Sequence, residues 1–227
     1  MDITKPNIIL AGSTGLIGSF VLQHLLKHSQ SFTTLYAPTR SPLSMTHPQL
    51  SGMTNDEFFQ SSPLSATLGI ICLGTTKKAA GSNEALYAID HDLVVQFANK
   101  MKQFGVTHIA VVSSYGAKVK SSSHYLKCKG EMERDVYQLG FEHVLFARPG
   151  PLKGKRDKPR TDEVLLQKMV KFIQPLMLGP LVNLRPINAQ HVAHYLVEEL
   201  INPKVNDQQN SKARNEAKFA YYLDMIQ

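Results

Sequence analysis

A chain of 227 residues with 43% hydrophobic content suits one globular domain and excludes a large multidomain assembly. No apolar run approaches the roughly 20 residues that cross a bilayer, so no membrane span is expected. The formal net charge of +7 leaves a phosphorylated ligand, nucleic acid or plain solubility open, but Lys153 to Arg160, the densest basic stretch, has no interleaved aromatics or nucleic-acid motif, so no nucleic-acid partner is expected.

Taken in order, Ile8 to Ala11 reads as a buried strand. Ile17 to His28 reads as a helix with Val21, Leu22, Leu25 and Leu26 on one face. Thr33 to Ala37 is a short strand ended by Pro38. Residues 41 to 65 are rich in Ser, Pro, Thr and Met, with a short strand near Leu50 and a helical turn near Glu57. Thr67 to Leu73 is a continuous apolar strand, as a sheet covered on both faces requires. Glu84 to Phe104 reads as one helix, His108 to Val112 as a strand, Tyr125 to Leu139 as a helix and His143 to Ala147 as a strand. Beyond residue 150 the pattern loosens, with helical stretches at Val164 to Phe172 and His191 to Leu200 and a polar run from Asn206 to Asn215. Such β/α alternation predicts an α/β fold with a doubly wound parallel sheet and right-handed crossovers. Residues 1–227 are expected to form one dinucleotide-binding domain of the Rossmann type, with 151–227 contributing a small substrate-side lobe.

Two further features bear on chemistry and compartment. Cys72 and Cys128 are the only cysteines, one in an apolar strand-like run and the other in a helix-like one. They suit reduced thiols and, with no secretory pattern in Met1 to Pro6, a cytoplasmic protein is expected. The nine histidines show no HExxH or paired ligand spacing, so no metal is expected.

Gly12, Gly15 and Gly18 follow the first strand and open the first helix. In that context Gly12 turns the chain, Gly15 lets backbone N–H groups approach a diphosphate, and Gly18 lets the helix pack close to the sheet. A strand–turn–helix junction without a ligand is the alternative. Tyr125 and Lys129 stand four residues apart on a helix and share a face. A nearby cation favours a phenolate, so Tyr125 could exchange a proton with a carbonyl or alcohol near neutrality. Ser113 and Ser114 end the strand before it, where open α/β sheets bind ligands. Taken singly, Tyr-x-x-x-Lys is common by chance and a strand-end serine is an ordinary cap.

Together these pieces resemble the short-chain dehydrogenase/reductase superfamily. Cys72 to Lys77 (CLGTTK), Ser113 to Ala117, Tyr125 to Glu131 and Phe146 to Gly150 narrow the likeness to one atypical branch, the oxidoreductases related to the HIV Tat-interactive protein. The resemblance implies that Gly12, Ser13, Thr14, Gly15, Leu16, Ile17 and Gly18 surround the cofactor diphosphate. It places Leu73, Gly74, Thr75 and Thr76 along the cofactor, with Gly74 and Thr75 toward the nicotinamide ribose. Ser114 would polarise the substrate, with Ser113 as the alternative and a cofactor neighbour. Tyr125 would be the acid/base, and Lys129 would hold the ribose and lower the tyrosine pKa. Pro149 and Gly150 would shape the nicotinamide pocket. Asp90 stands where related enzymes often carry an asparagine, a departure from the usual proton relay.

Arg40 ends the second strand, where an acid would bind the ribose hydroxyls of NAD. Arginine pairs with a 2′-phosphate, so NADP(H) is expected ahead of NAD(H). The expected function is an NADP-dependent oxidoreductase that transfers hydride between nicotinamide and a small carbonyl or alcohol. Its partner would be a small-molecule substrate. The alternatives are a non-catalytic NADPH-binding regulator that docks a protein partner, a nucleoside-diphosphate-sugar epimerase, and an electron-transfer or assembly accessory that uses only the fold.

Overall fold

A computed structural model describes residues 5–153, 177, 179–201 and 217–226. The strands expected at Ile8 and His143 and the helix at Tyr125 appear as β1 (Ile8–Ala11), β6 (His143–Ala147) and α6 (His124–Gln138). Between them lie α1 (Leu16–Lys27), β2 (Leu35–Thr39), β3 (Leu50–Thr54), α2 (Asn55–Gln60) and β4 (Leu68–Ile71). They are followed by α3 (Lys77–Ala80), α4 (Asn83–Tyr87), α5 (Leu93–Gln103) and β5 (His108–Val112). After β6 come β7 (Leu152–Lys153), β8 (Ile187–Asn188), α7 (Ala189–Ile201), β9 (Ala217–Ala220) and α8 (Tyr222–Met225). The helical stretch expected at Val164 to Phe172, the polar run from Asn206 to Asn215 and most of the basic stretch after Lys153 lie outside the described residues.

Among the described residues, seven strands form one parallel sheet in the order β3-β2-β1-β4-β5-β6-β9. This is the doubly wound sheet that the β/α alternation predicts. The order reverses between β1 and β4, which both follow from β1 pairing on its two sides. Crevices at such switch points, at the C-terminal strand ends, are where open α/β sheets bind ligands. β1 and β4 are buried along their whole length because helices cover both faces. One face packs Ile8, Leu10, Ile70 and Ala110 against Val21, Leu25, Val192 and Leu196 of α1 and α7. The other packs Ile9, Ile71 and Val111 against Phe97, Met101, Met132 and Val136 of α5 and α6.

Two expectations are corrected. Pro38 does not end the second strand: β2 runs to Thr39, because β3 pairs it along its full length while β1 pairs it only at Leu35 and Tyr36. Proline is tolerated where one neighbour has dropped away. The helix expected from Glu84 to Phe104 is interrupted by a π-helical turn at Ala88–Asp92. That turn buries Asp90 and His91, two polar residues that a regular amphipathic helix would not place together in the interior. Beyond residue 150, β7 and β8 form a two-stranded piece, whereas β9 rejoins the main sheet beside β6.

Candidate active site

The glycine loop carries the tightest geometry. Gly12 has φ +85°, and a Cβ there would stand 2.8 Å from the Cys72 carbonyl carbon. A Cβ on Gly18 would meet the Gly12 carbonyl oxygen at 2.0 Å. Both positions exclude any side chain, and together they let α1 start directly above the ends of β1 and β4. Gly15 caps α1 without a side-chain hydrogen bond, and no acid occupies the first turn. The leading N–H groups therefore face outward with the positive end of the helix dipole. Ser13 is buried, and its Oγ has no hydrogen-bond partner among the described residues. Free N–H groups, a dipole and an orphaned hydroxyl in a loop no Cβ can fill fit the diphosphate of a dinucleotide.

At the next strand end, Asp90 and Lys129 meet. Lys129 Nζ lies 2.7 Å from Asp90 Oδ1, with the two side chains 3% and 1% exposed. Asp90 Oδ2 accepts a hydrogen bond from the Thr75 N–H at 2.7 Å. Gly74 makes this possible, since a Cβ there would stand 3.2 Å from Asp90 Oδ1 and 3.7 Å from Lys129 Nζ. The π turn thus swings a carboxylate under the loop after β4 and across to α6. Burial works against the charge on Lys129, but Asp90 and, next, Tyr125 outweigh it and hold the ammonium above the usual lysine range. The sequence reading gave Lys129 to the ribose and left Asp90 without a role. The geometry joins them into one buried pair.

Tyr125 is half-buried one turn before Lys129. Ser114 is half-buried after β5, and its Oγ makes one long contact to the Tyr115 carbonyl at 3.5 Å. Ser113 is buried, donates its N–H to the Ala147 carbonyl at 2.7 Å, and has no partner for its Oγ among the described residues. Pro149 accepts the Tyr115 N–H at 2.9 Å, which ties the end of β6 to the serine loop. Thr76 is engaged otherwise: its side chain caps α3 at the Ala79 N–H. Burial pushes the Cys72 thiol up to about 12 and the Cys128 thiol up to about 11, so neither serves as a thiolate nucleophile.

Arg40 is exposed at the C-terminal end of β2. Three strand spacings, about 14 Å, separate that end from the end of β5, with the glycine loop between them. An extended dinucleotide could reach from one to the other. The sequence reading missed Gly130. A Cβ there would stand 2.3 Å from the Lys118 carbonyl carbon, so α6 and the loop after Ser114 approach backbone to backbone. Beside it the Leu126 carbonyl, one residue after Tyr125, accepts the Lys118 N–H at 3.1 Å. The only sequence signal of this approach is a glycine on the buried side of a helix.

The parallel sheet, its switch point and the glycine loop define a Rossmann fold of the kind found in short-chain dehydrogenases and sugar-nucleotide epimerases. A short-chain dehydrogenase from Burkholderia cenocepacia J2315, solved in complex with NADP, matches with a TM-score of 0.63 at 14% identity, covering 99% of this chain and 91% of that one. A UDP-galactose 4-epimerase matches with a TM-score of 0.64 at 11% identity, over 94% of this chain and 75% of that one.

The chain belongs to the HIM1 family, whose model matches residues 24–179. Protein FMP52, mitochondrial, of Saccharomyces cerevisiae is 38% identical over 156 residues, 66% of this chain and 67% of the relative. Protein fmp52, mitochondrial, of Aspergillus niger is 34% identical over 182 residues, 76% and 78% of the two chains. These names overturn the expectation of a cytoplasmic protein. Free thiols and the lack of a secretory pattern separate secreted proteins from others, but they do not distinguish one reducing compartment from another.

Proposed function

We propose that this chain is a mitochondrial NADP-dependent oxidoreductase that reduces a small carbonyl compound or oxidises the corresponding alcohol. The observation that carries the reading is the buried Asp90–Lys129 pair one helical turn from Tyr125, at the strand ends beside the glycine loop. The narrower likeness to the HIV Tat-interactive protein branch, carried by Cys72 to Lys77 and Phe146 to Gly150, belongs to the same reading.

Gly12 to Gly18 would hold the diphosphate, and Gly74 and Thr75 would follow the cofactor toward the nicotinamide. Pro149 and Gly150 would border that end, and Ser114 would hold the substrate oxygen. A bound nicotinamide supplies or accepts hydride at the substrate carbon. In the reducing direction Tyr125 gives its hydroxyl proton to the substrate oxygen, and solvent restores it. Lys129, kept charged by Asp90, stabilises the negative charge left on the Tyr125 oxygen.

Arg40 is assigned to the 2′-phosphate. A charge-assisted hydrogen bond contributes about 1.5–3 kcal/mol, and each 1.4 kcal/mol is roughly tenfold in affinity. Fluorescence titration at low salt should give NADPH about 10- to 150-fold tighter binding than NADH. Arg40→Ala should remove most of that gap and leave NADH binding unchanged. Equal affinity for both cofactors in the parent protein would reduce Arg40 to a solvated loop residue.

A second reading draws on the same ion pair. An ammonium already matched by a carboxylate favours a neighbouring phenolate less, which suits a cofactor-binding regulator without turnover. NADPH consumption across a panel of aldehydes, ketones and quinones separates the two. Turnover of one compound supports the enzyme. Cofactor binding with a silent panel, and cofactor-dependent capture of a partner protein, supports the regulator.

A further inference from the structure

On the face of the sheet covered by α1 and α7, the two helices pack through Val21, Leu22, Leu25, Val192, Leu196 and Val197. At the solvent edge of that contact stand His24 on α1 and His194 and Glu198 on α7. His194 and Glu198 are four residues apart and share a helix face. His24 Nε2 lies 3.3 Å from Glu198 Oε1. The His24 and His194 rings meet edge-on with centroids 4.9 Å apart. One donor atom from each of the three residues falls within 4.8 Å of the other two. His28 lies outside this set: its ring stands beside His24, with Nδ1 3.0 Å from the His24 carbonyl oxygen.

We propose that His24, His194 and Glu198 form a zinc site that clamps α1 to α7. Donors about 2.0–2.1 Å from a tetrahedral ion lie roughly 3.4 Å from one another. The His24–Glu198 pair already has that spacing. His194 is exposed, so a rotamer change closes the remaining distance without cost to the core. Two imidazoles and one carboxylate select zinc over magnesium or calcium, which prefer sets made only of oxygen. Three protein donors leave a fourth position for water. The absence of metal-ligand spacing along the chain is no guide here, because His24 and Glu198 are 174 residues apart in sequence. α1 also carries the glycine loop at its other end, so the ion would brace the helix that presents its N-terminus to the diphosphate.

The test uses the full chain without an affinity tag, in calorimetric titration and thermal unfolding with zinc chloride. One zinc per chain is expected. At a free concentration 100-fold above Kd, Tm should rise by about 5 °C or more. Magnesium and calcium chloride should leave it unchanged, and a chelator should reverse the zinc effect. His194→Ala and Glu198→Gln each alter a solvent-facing side chain and should fold normally without metal. Each should weaken zinc binding by about tenfold or more, since even residues that only support metal ligands contribute on that scale. Parent protein with no Tm shift, or full zinc affinity in both variants, would overturn the site.

Discussion

Tyr125→Phe is expected to lower turnover by about 100-fold or more while leaving NADPH affinity near that of the parent protein. The substitution removes one hydroxyl and keeps the ring, so the half-buried position beside Lys129 stays filled. Only the proton donor is lost. Binding interactions that are equal in ground and transition states would be untouched, so the loss should fall on kcat rather than on cofactor Kd. Steady-state kinetics on any compound reduced by the parent protein, paired with cofactor titration, make the comparison. Unchanged turnover in Tyr125→Phe would take the acid/base role away from Tyr125.

The second large effect is on stability. Asp90→Ala leaves the Lys129 ammonium buried without its carboxylate and the Thr75 N–H without its acceptor. Breaking a buried ion pair by removing one partner costs about 3–5 kcal/mol. For a chain of this size that is a fall in Tm of roughly 6–20 °C. Asp90→Asn keeps an oxygen for Thr75 and should lose less. The double variant Asp90→Ala with Lys129→Met removes both charges and should recover part of the loss, which separates charge burial from lost packing. Denaturant unfolding measures all three. An Asp90→Ala protein within about 0.5 kcal/mol of the parent would show that the pair contributes nothing.

The sign of the pH dependence follows from Lys129. Its pKa is raised in the folded state, because Asp90 outweighs burial. Its contribution is therefore fully present below the unfolded lysine value of about 10.4 and is lost as pH rises through the folded value. Across the neutral range Lys129 keeps its charge.

Much of this fold is legible in the sequence because its strands are buried on both faces. Ile8–Ala11 and His143–Ala147 are unbroken apolar or near-apolar runs, and α1 and α6 repeat apolar residues at helical spacing. Even the weakly patterned segment around Leu50 and Glu57 proved to be β3 and α2, where Thr54 and Glu57 form a reciprocal cap. The Tyr125/Lys129 spacing and the glycine triplet were readable for the same reason: each lies within a single element or junction. Contacts between distant elements were not. Asp90 breaks an apolar stripe, and that irregularity was the one trace of the π turn and of the pair with Lys129. Gly130 gives no hint of Lys118 until α6 and the serine loop are side by side. β9 offers only Ala217-Lys218-Phe219-Ala220, too short and too mixed to be distinguished from a tail.

The position of β9 has a consequence for how the chain folds. β6 completes its pairing only when Ala217 to Ala220 align beside Val144 to Ala147. Arg148 secures that junction, with its N–H donating to the Ala220 carbonyl, its guanidinium forked onto buried Glu133, and a further hydrogen bond to Tyr221. The partner strand is some 70 residues further along the chain than β6. Until it arrives, β6 is an open parallel edge with unpaired backbone groups, a template for association with other chains. Pairing with β9 is therefore a long-range contact that covers this edge of the sheet and keeps β6 from serving as a template for other chains.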